Sequence, residues 1–478
     1  MAEADLVVVG AGAAGLSVAA GAAQLGARVV LIERGAMGGE CLNSGYVPTK
    51  ALLAAARRVA AAREAGRFRL GVTGVADVAA VMDEVRRAVA EVAPNHASHR
   101  YRAFGARVLA GEARLVGPGL VAVGAETIHA RKIVLAVGTR PAVPAIPGLD
   151  RVPFLTSANL WSLATLPAHL LVLGAGAMGL EMAQAFARLG ARVTVLEAGR
   201  ALAREDAELA EGLLLALRAD GVEVREHVRI VCIEAEAGQI AVVVEAGEGR
   251  EERVRGSHLL VATGRVPDLA PLCLDRADVE TTPFGIRTDR SLRSVSNRKV
   301  FAAGDIADID GVGPQRSAHA ASHHAGVILR RVLFRLPARV DVEAVPRTVY
   351  TDPELAAVGL TEAEARARGL RNLAVLRWPI AETDRAAIEG VRHGLVKIVA
   401  TRTGRVLGAG LLAPHAGEII GLLALAIRRR APLSALADLV LPYPTYAEGV
   451  KHAAGSALSA RLLSPATQRL VRALLRLP

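Results

Sequence analysis

The sequence predicts an α/β protein: two Rossmann-like dinucleotide-binding domains joined to a C-terminal α+β domain. Three observations lead there. A glycine-rich turn between a strand-like run and a helix occurs twice, two apolar runs that each pass into a Gly-containing loop, Ile133 to Pro141 and Leu259 to Asp268, bracket the second copy, and the residue texture changes from about Val340. With 478 residues the chain exceeds what one core organises and divides into about three domains.

The first copy begins with the apolar run Asp5-Leu6-Val7-Val8-Val9, which passes at once into a turn carrying Gly10, Gly12 and Gly15 and then into an alanine-rich helix. A second apolar run, Ala27 to Ile32, closes on Glu33. Strand, glycine turn, helix, strand and acid form the setting that binds a dinucleotide. The glycines let backbone approach a pyrophosphate, the helix N-terminus supplies N–H groups and positive potential, and the acid accepts from ribose hydroxyls. One such unit alone would be weak. It recurs as Leu170 to Leu173, then Gly174, Gly176 and Gly179, a helix, Arg192 to Leu196 and Glu197, and the glycine-to-acid separation is the same in both copies. A matched pair is poorly explained as two ligand-free turns. One site is read for FAD and the other for NAD(P)H.

Bulk properties narrow the function classes. The 58 basic and 47 acidic residues give a net charge of +11, but the arginines are scattered and no basic stripe is interleaved with aromatics, so anionic dinucleotides explain the excess better than nucleic acid does. Cys41, Cys232 and Cys273 are too few and too dispersed for a disulfide framework or a four-ligand zinc site. An N-terminus running straight into a strand predicts the cytoplasm, and no long apolar run predicts a membrane span. His319, His323 and His324 favour a helix packed beside a cofactor over a metal site, because no carboxylate or cysteine completes them, and no metal is expected.

The stretch Gly38-Gly39-Glu40-Cys41-Leu42-Asn43-Ser44-Gly45-Tyr46-Val47-Pro48-Thr49-Lys50 resembles the redox segment GGxCxNxGCxPxK of the class I pyridine nucleotide-disulfide oxidoreductases, the family of mercuric reductase and dihydrolipoamide dehydrogenase. The resemblance covers essentially the whole chain. It implies an FAD domain made of residues 1–148 and 266–340, an NAD(P) domain at 149–265, and an interface domain at 341–478 that forms a homodimer. Gly138 and Gly264 mark the two crossings, and Val300 to Ile306 resembles the third flavin motif, with Gly304 and with Asp305 as the ribityl ligand. As a residue type, Asp305 also suits a helix N-cap. Gly39, Lys50 and Ala320 complete the implied flavin contacts.

Two departures from the family pattern redirect the chemistry. Cys41 matches the cysteine that attacks substrate, and a nearby helix N-terminus would depress its pKa. Tyr46 stands where the second, flavin-side cysteine belongs, so the usual dithiol relay cannot form within this segment. In Leu441-Pro442-Tyr443-Pro444-Thr445-Tyr446-Ala447-Glu448, Tyr443 replaces the histidine of the HPTxxE segment while Glu448 remains. Lys50 and Glu181 match the ion pair beside flavin N5, and Glu197 favours NADH because a carboxylate repels a 2′-phosphate, although Arg200 and Arg204 follow closely. The expected activity is hydride transfer from NAD(P)H to FAD and on to a small-molecule acceptor. Alternatives are a soluble pyridine nucleotide transhydrogenase, a catalytically degenerate FAD-binding protein, and a sporadic change at Tyr46 in an ordinary reductase. The basic, amphipathic tail Arg469 to Pro478 is expected to dock on its own dimer, with contact to an anionic membrane surface as the lesser role.

Overall fold

The run Ala4–Val9 is apolar at nearly every position because it forms β1, the middle of a parallel sheet covered on both faces. In the computed structural model, which describes residues 3–71, 76–245 and 250–477, the chain divides into two compact units. The first comprises Met1–Leu166 and His258–Val340, the second Pro167–Ser257 and Asp341–Pro478.

In the first unit, β1 leads to α1 (Ala13–Gln24), β2 (Val29–Glu33), the short α2 (Gly39–Asn43) and the long α3 (Tyr46–Glu64). The strands β3 (Arg107–Ala110), β4 (Ala113–Gly117), β5 (Leu120–Val123) and β6 (Glu126–Leu135) complete the sheet in the order β3-β2-β1-β6-β5-β4. The long strand β6 serves two neighbourhoods. Its start runs antiparallel to β5, while its end lies parallel to β1 and to the strand Val300–Ala302, with Ile133 opposite both Val7 and Val300. Small residues on α1 allow a close approach to the helix Ala318–Val332: a Cβ on Gly21 would meet Leu329 Cδ1 at 2.5 Å.

The second unit repeats the parallel motif with His169–Leu173, Arg192–Leu196 and Val222–Arg225 side by side. It adds a three-stranded antiparallel sheet between Ile230 and Gly256 and a five-stranded sheet in which Glu354–Gly359 and Val406–Ala413 are central. The five-stranded sheet packs against the helices Ala416–Arg428 and Glu448–Leu462 around Val396, Ile398, Leu411, Leu423 and Val450. Burying each such side chain contributes about 1.5–3 kcal/mol before chain entropy is counted.

Candidate active site

The first fingerprint builds a cleft of about 370 Å³ at the carboxyl ends of β1, β2 and β6. Gly10, Gly12, Glu33, Gly39 and Gly138 line it together with Glu40, Thr139 and Arg265. Gly15 lies beneath the turn, where a Cβ would fall 1.8 Å from the carbonyl oxygen of Gly10. Gly39 has φ +57°, and its Cβ would sit 2.7 Å from Gly12 Cα, so α2 can approach the turn only as glycine. The cap Gly12 gives α1 no side-chain hydrogen bond, leaving N-terminal amides for a ligand. This close glycine backbone and an uncapped helix end beside the cleft fit the pyrophosphate of FAD.

The two acids occupy equivalent places. Glu33 accepts from the N–H of Ala11 at 2.5 Å and of Gly35 at 2.8 Å; Glu197 accepts from Ala175 at 2.7 Å and Gly199 at 2.8 Å. Each carboxylate therefore fixes its own glycine turn, a use of the acid that the sequence pattern alone does not disclose. In the second copy Gly174 has φ +102°, and Gly176 caps the helix Ala177–Leu189 without a side-chain hydrogen bond. Gly179 and Glu181 are buried on that helix, and Glu181 accepts the N–H of Tyr350 at 2.8 Å.

Asp305 is not a helix N-cap. Its carboxylate accepts from Thr139 Oγ1 at 3.0 Å, and burial pushes its pKa up. The cap of the following helix is Ser317, which accepts from the N–H of Ala320 at 3.2 Å. Gly304 donates its N–H to Nδ1 of His324 at 3.1 Å, and Nε2 of that ring faces Gln315 Oε1 at 3.0 Å. The imidazole is thus neutral with its hydrogen on Nε2, and burial lowers its pKa to about 4. No metal-binding group of three acids, histidines or cysteines occurs among the described residues.

Glu40, Thr139 and Arg265 were not singled out from the sequence. Arg265 pairs with Glu40, donates to Thr139 Oγ1 at 2.8 Å and lies 4.0 Å from Asp305. The strand Arg265–Pro267 pairs with Thr139–Pro141, so the two crossings meet, with Ala142 donating to the carbonyl of Gly264 at 2.9 Å. Adjacency to Gly39, Gly138 and Gly264 was the available signal. Trp161 is a further contributor: its indole N–H points at the carbonyls of Ser157 and Ser44 at 2.8 and 3.2 Å, tethering the loop before Tyr46.

Cys41 lies within α2, and the expected depression of its pKa is not found. Burial pushes the thiol up, the carboxylate of Glu40 pushes it further, and Lys50 only partly opposes them. Tyr46 opens α3, with Lys50 Nζ 5.1 Å from its ring centroid. All three cysteines are free. Tyr443 is largely exposed and donates to Asp384, which raises its pKa. Glu448 instead accepts the N–H of Thr445 at 3.1 Å at the start of its helix.

Comparison with known proteins agrees with this architecture. The pyridine nucleotide-disulphide oxidoreductase family model matches residues 4–325, and its dimerisation domain matches 345–454. The chain is 35% identical to a mercuric reductase of Streptomyces lividans, over 94% of this chain and 95% of that one. It is likewise 35% identical to dihydrolipoyl dehydrogenase 3 of Pseudomonas aeruginosa, over 94% and 97%. The HOCl-induced flavoprotein disulfide reductase RclA of Escherichia coli, solved as a Cu(II) complex, superposes with a TM-score of 0.84 at 27% identity, covering 95% of this chain and 100% of that one. This chain is therefore an oxidoreductase and belongs to the pyridine nucleotide-disulphide oxidoreductase family, whose members bind FAD and use NAD(P)H.

Proposed function

We propose that this protein takes hydride from NAD(P)H onto FAD and passes electrons directly to a small-molecule acceptor, without a dithiol relay. When bound, FAD supplies the two-electron chemistry. The single observation that carries the reading is the pair of residues at the redox segment: a phenol, Tyr46, heads α3, and Cys41 is held toward its protonated form. Neither side chain supplies the thiolate pair that disulfide exchange needs. Quinone-like, dye-like, oxygen or metal acceptors fit this arrangement. Catalytic roles are assigned to Cys41, Tyr46, Lys50, Glu181, Tyr443 and Glu448, with Lys50 and Glu181 each serving the hydride side of the reaction.

NADH is the favoured donor. In support, the Arg200 guanidinium is turned onto the carbonyl of Glu205 at 3.1 Å rather than left waiting for a 2′-phosphate, and Glu197 holds its turn. The three-domain division at residues 1–148 with 266–340, 149–265 and 341–478 is assigned to FAD binding, NAD(P) binding and homodimer formation, in a cytoplasmic enzyme.

Anaerobic titration of the yellow protein with NADH and NADPH, followed by lipoamide, Hg(II), a quinone, oxygen and an NADP analogue, tests the reading. Bleaching and then reoxidation by a non-thiol acceptor is expected. Rapid reoxidation by lipoamide would overturn the absence of a thiol route, reoxidation by the NADP analogue alone would identify a transhydrogenase, and protein that stays yellow with both nucleotides would sink the oxidoreductase mechanism.

A further inference from the structure

Beyond the matched dimerisation domain, which ends at residue 454, the chain forms a separate helix, Pro465–Leu474. Its start is set locally: Ser464 caps it by accepting the N–H of Thr467 at 3.3 Å, and Pro465 occupies the first position. None of its residues is buried, and every residue from Gln468 to Leu477 is exposed. Exposed apolar side chains are ordinary one at a time, but here Leu470, Val471, Leu474, Leu475 and Leu477 fall together within ten residues.

Helical spacing sorts them. At about 100° per residue, Arg469 and Arg472 lie roughly 60° apart while Leu470, Val471 and Leu474 fall on the opposite side, and Leu475, Arg476 and Leu477 continue in the turn that follows the helix. The charge is of one sign. After Glu448 the sequence contains Lys451, Arg461, Arg469, Arg472 and Arg476 and no acid as far as Pro478, which itself lies outside the described residues. A helix seated on protein by its apolar face turns its cationic face to water. An anionic bilayer rewards both faces at once, because arginines reach headgroup phosphates while leucines enter the acyl boundary. No described helix is long and apolar enough to cross a membrane, so the helix would lie in the surface plane.

We propose that the helix Pro465–Leu474 is a surface anchor for bilayers rich in anionic lipid. The apolar arc around Leu474 enters the interface, and Arg469, Arg472 and Arg476 contact the headgroups. This assignment reverses the expectation that the tail docks on the dimer, and it does not depend on the electron acceptor.

Flotation of the full-length flavoprotein with two kinds of vesicle tests it: pure phosphatidylcholine, and the same lipid with about one quarter phosphatidylglycerol. Binding to the anionic vesicles only, weakened several-fold when salt rises from about 0.1 to 0.5 M, is the expected result. Leu474→Glu should weaken that binding by about tenfold or more, and the triple change of Arg469, Arg472 and Arg476 to Gln should abolish the preference for anionic lipid. Flavin absorbance and the melting temperature confirm that each variant is folded, and the exposed arginines keep the test open if Leu474→Glu is not. Absence of flotation with either vesicle, or equal flotation of the arginine variant, would overturn the proposal. So would a fall from dimer to monomer in Leu474→Glu by light scattering without lipid binding in the parent, which would assign the apolar face to a second copy of the chain.

Discussion

Glu40 and Arg265 form an ion pair inside the cleft at the first glycine turn, joining the helix that carries Cys41 to the crossing strand that follows Gly264. Arg265 does not dominate the acid's protonation. Burial raises the Glu40 pKa to about 7, Asp305 adds to that, and Arg265 opposes it.

A carboxyl whose folded pKa lies above its unfolded value of 4.5 favours the folded state when protonated. Its contribution is complete below pH 4.5 and is lost as pH rises through about 7. Glu40→Gln should flatten the decline in denaturation midpoint of FAD-depleted protein across that window. An unchanged slope would show that Glu40 titrates normally.

His324 acts with the opposite sign. Its folded pKa of about 4 lies below the ordinary 6.5, so its contribution is present above pH 6.5 and is lost as pH falls through about 4. Protonation at Nδ1 would also break the bond from Gly304. His324→Gln should make the acid limb of a stability profile shallower, at a cost near neutrality of about 1 kcal/mol from the altered hydrogen bonds. Acid titration of both proteins by circular dichroism measures this.

Gly15→Ala places a methyl group on the Gly10 carbonyl. Backbone cannot yield there without opening the turn, so the expected cost is about 3 kcal/mol or more, with loss of bound flavin. The absorbance ratio of flavin to protein after purification reads the second effect directly.

Lys397 is buried in the second unit, with Nζ 2.9 Å from Asp206, 3.0 Å from Glu208 and 3.2 Å from Glu362. Lys397→Met leaves the nearly buried Asp206 without its cation, while Arg377 still pairs with Glu208 and Glu362. Urea denaturation should show a loss of about 3–5 kcal/mol.

Cys41→Ser tests the direct electron route. A thiol held in its protonated form contributes little as a nucleophile, so kcat/KM with a quinone should change by no more than about twofold and its pH profile should keep its shape. A loss of an order of magnitude would return the thiol to the mechanism.

The nucleotide turns were legible in sequence because their requirements are local. Gly10, Gly15 and Gly174 occupy positions where backbone conformation or close approach excludes a side chain, and Glu33 ends, and Glu197 directly follows, a strand beside its turn. The substitution of Tyr46 for a sulfur and the cationic amphipathic pattern of Arg469 to Leu477 were equally plain, since both depend on residue identity and spacing. Tertiary structure decided what depends on distant neighbours. Arg265 reaches Glu40 and Thr139 only after strands remote in sequence pair, and Lys397 meets Asp206 through folding of the second unit. The protonation of Cys41 followed the same rule: helix position pointed down, but burial and the Glu40 carboxylate, which exist only in the folded chain, push its pKa up.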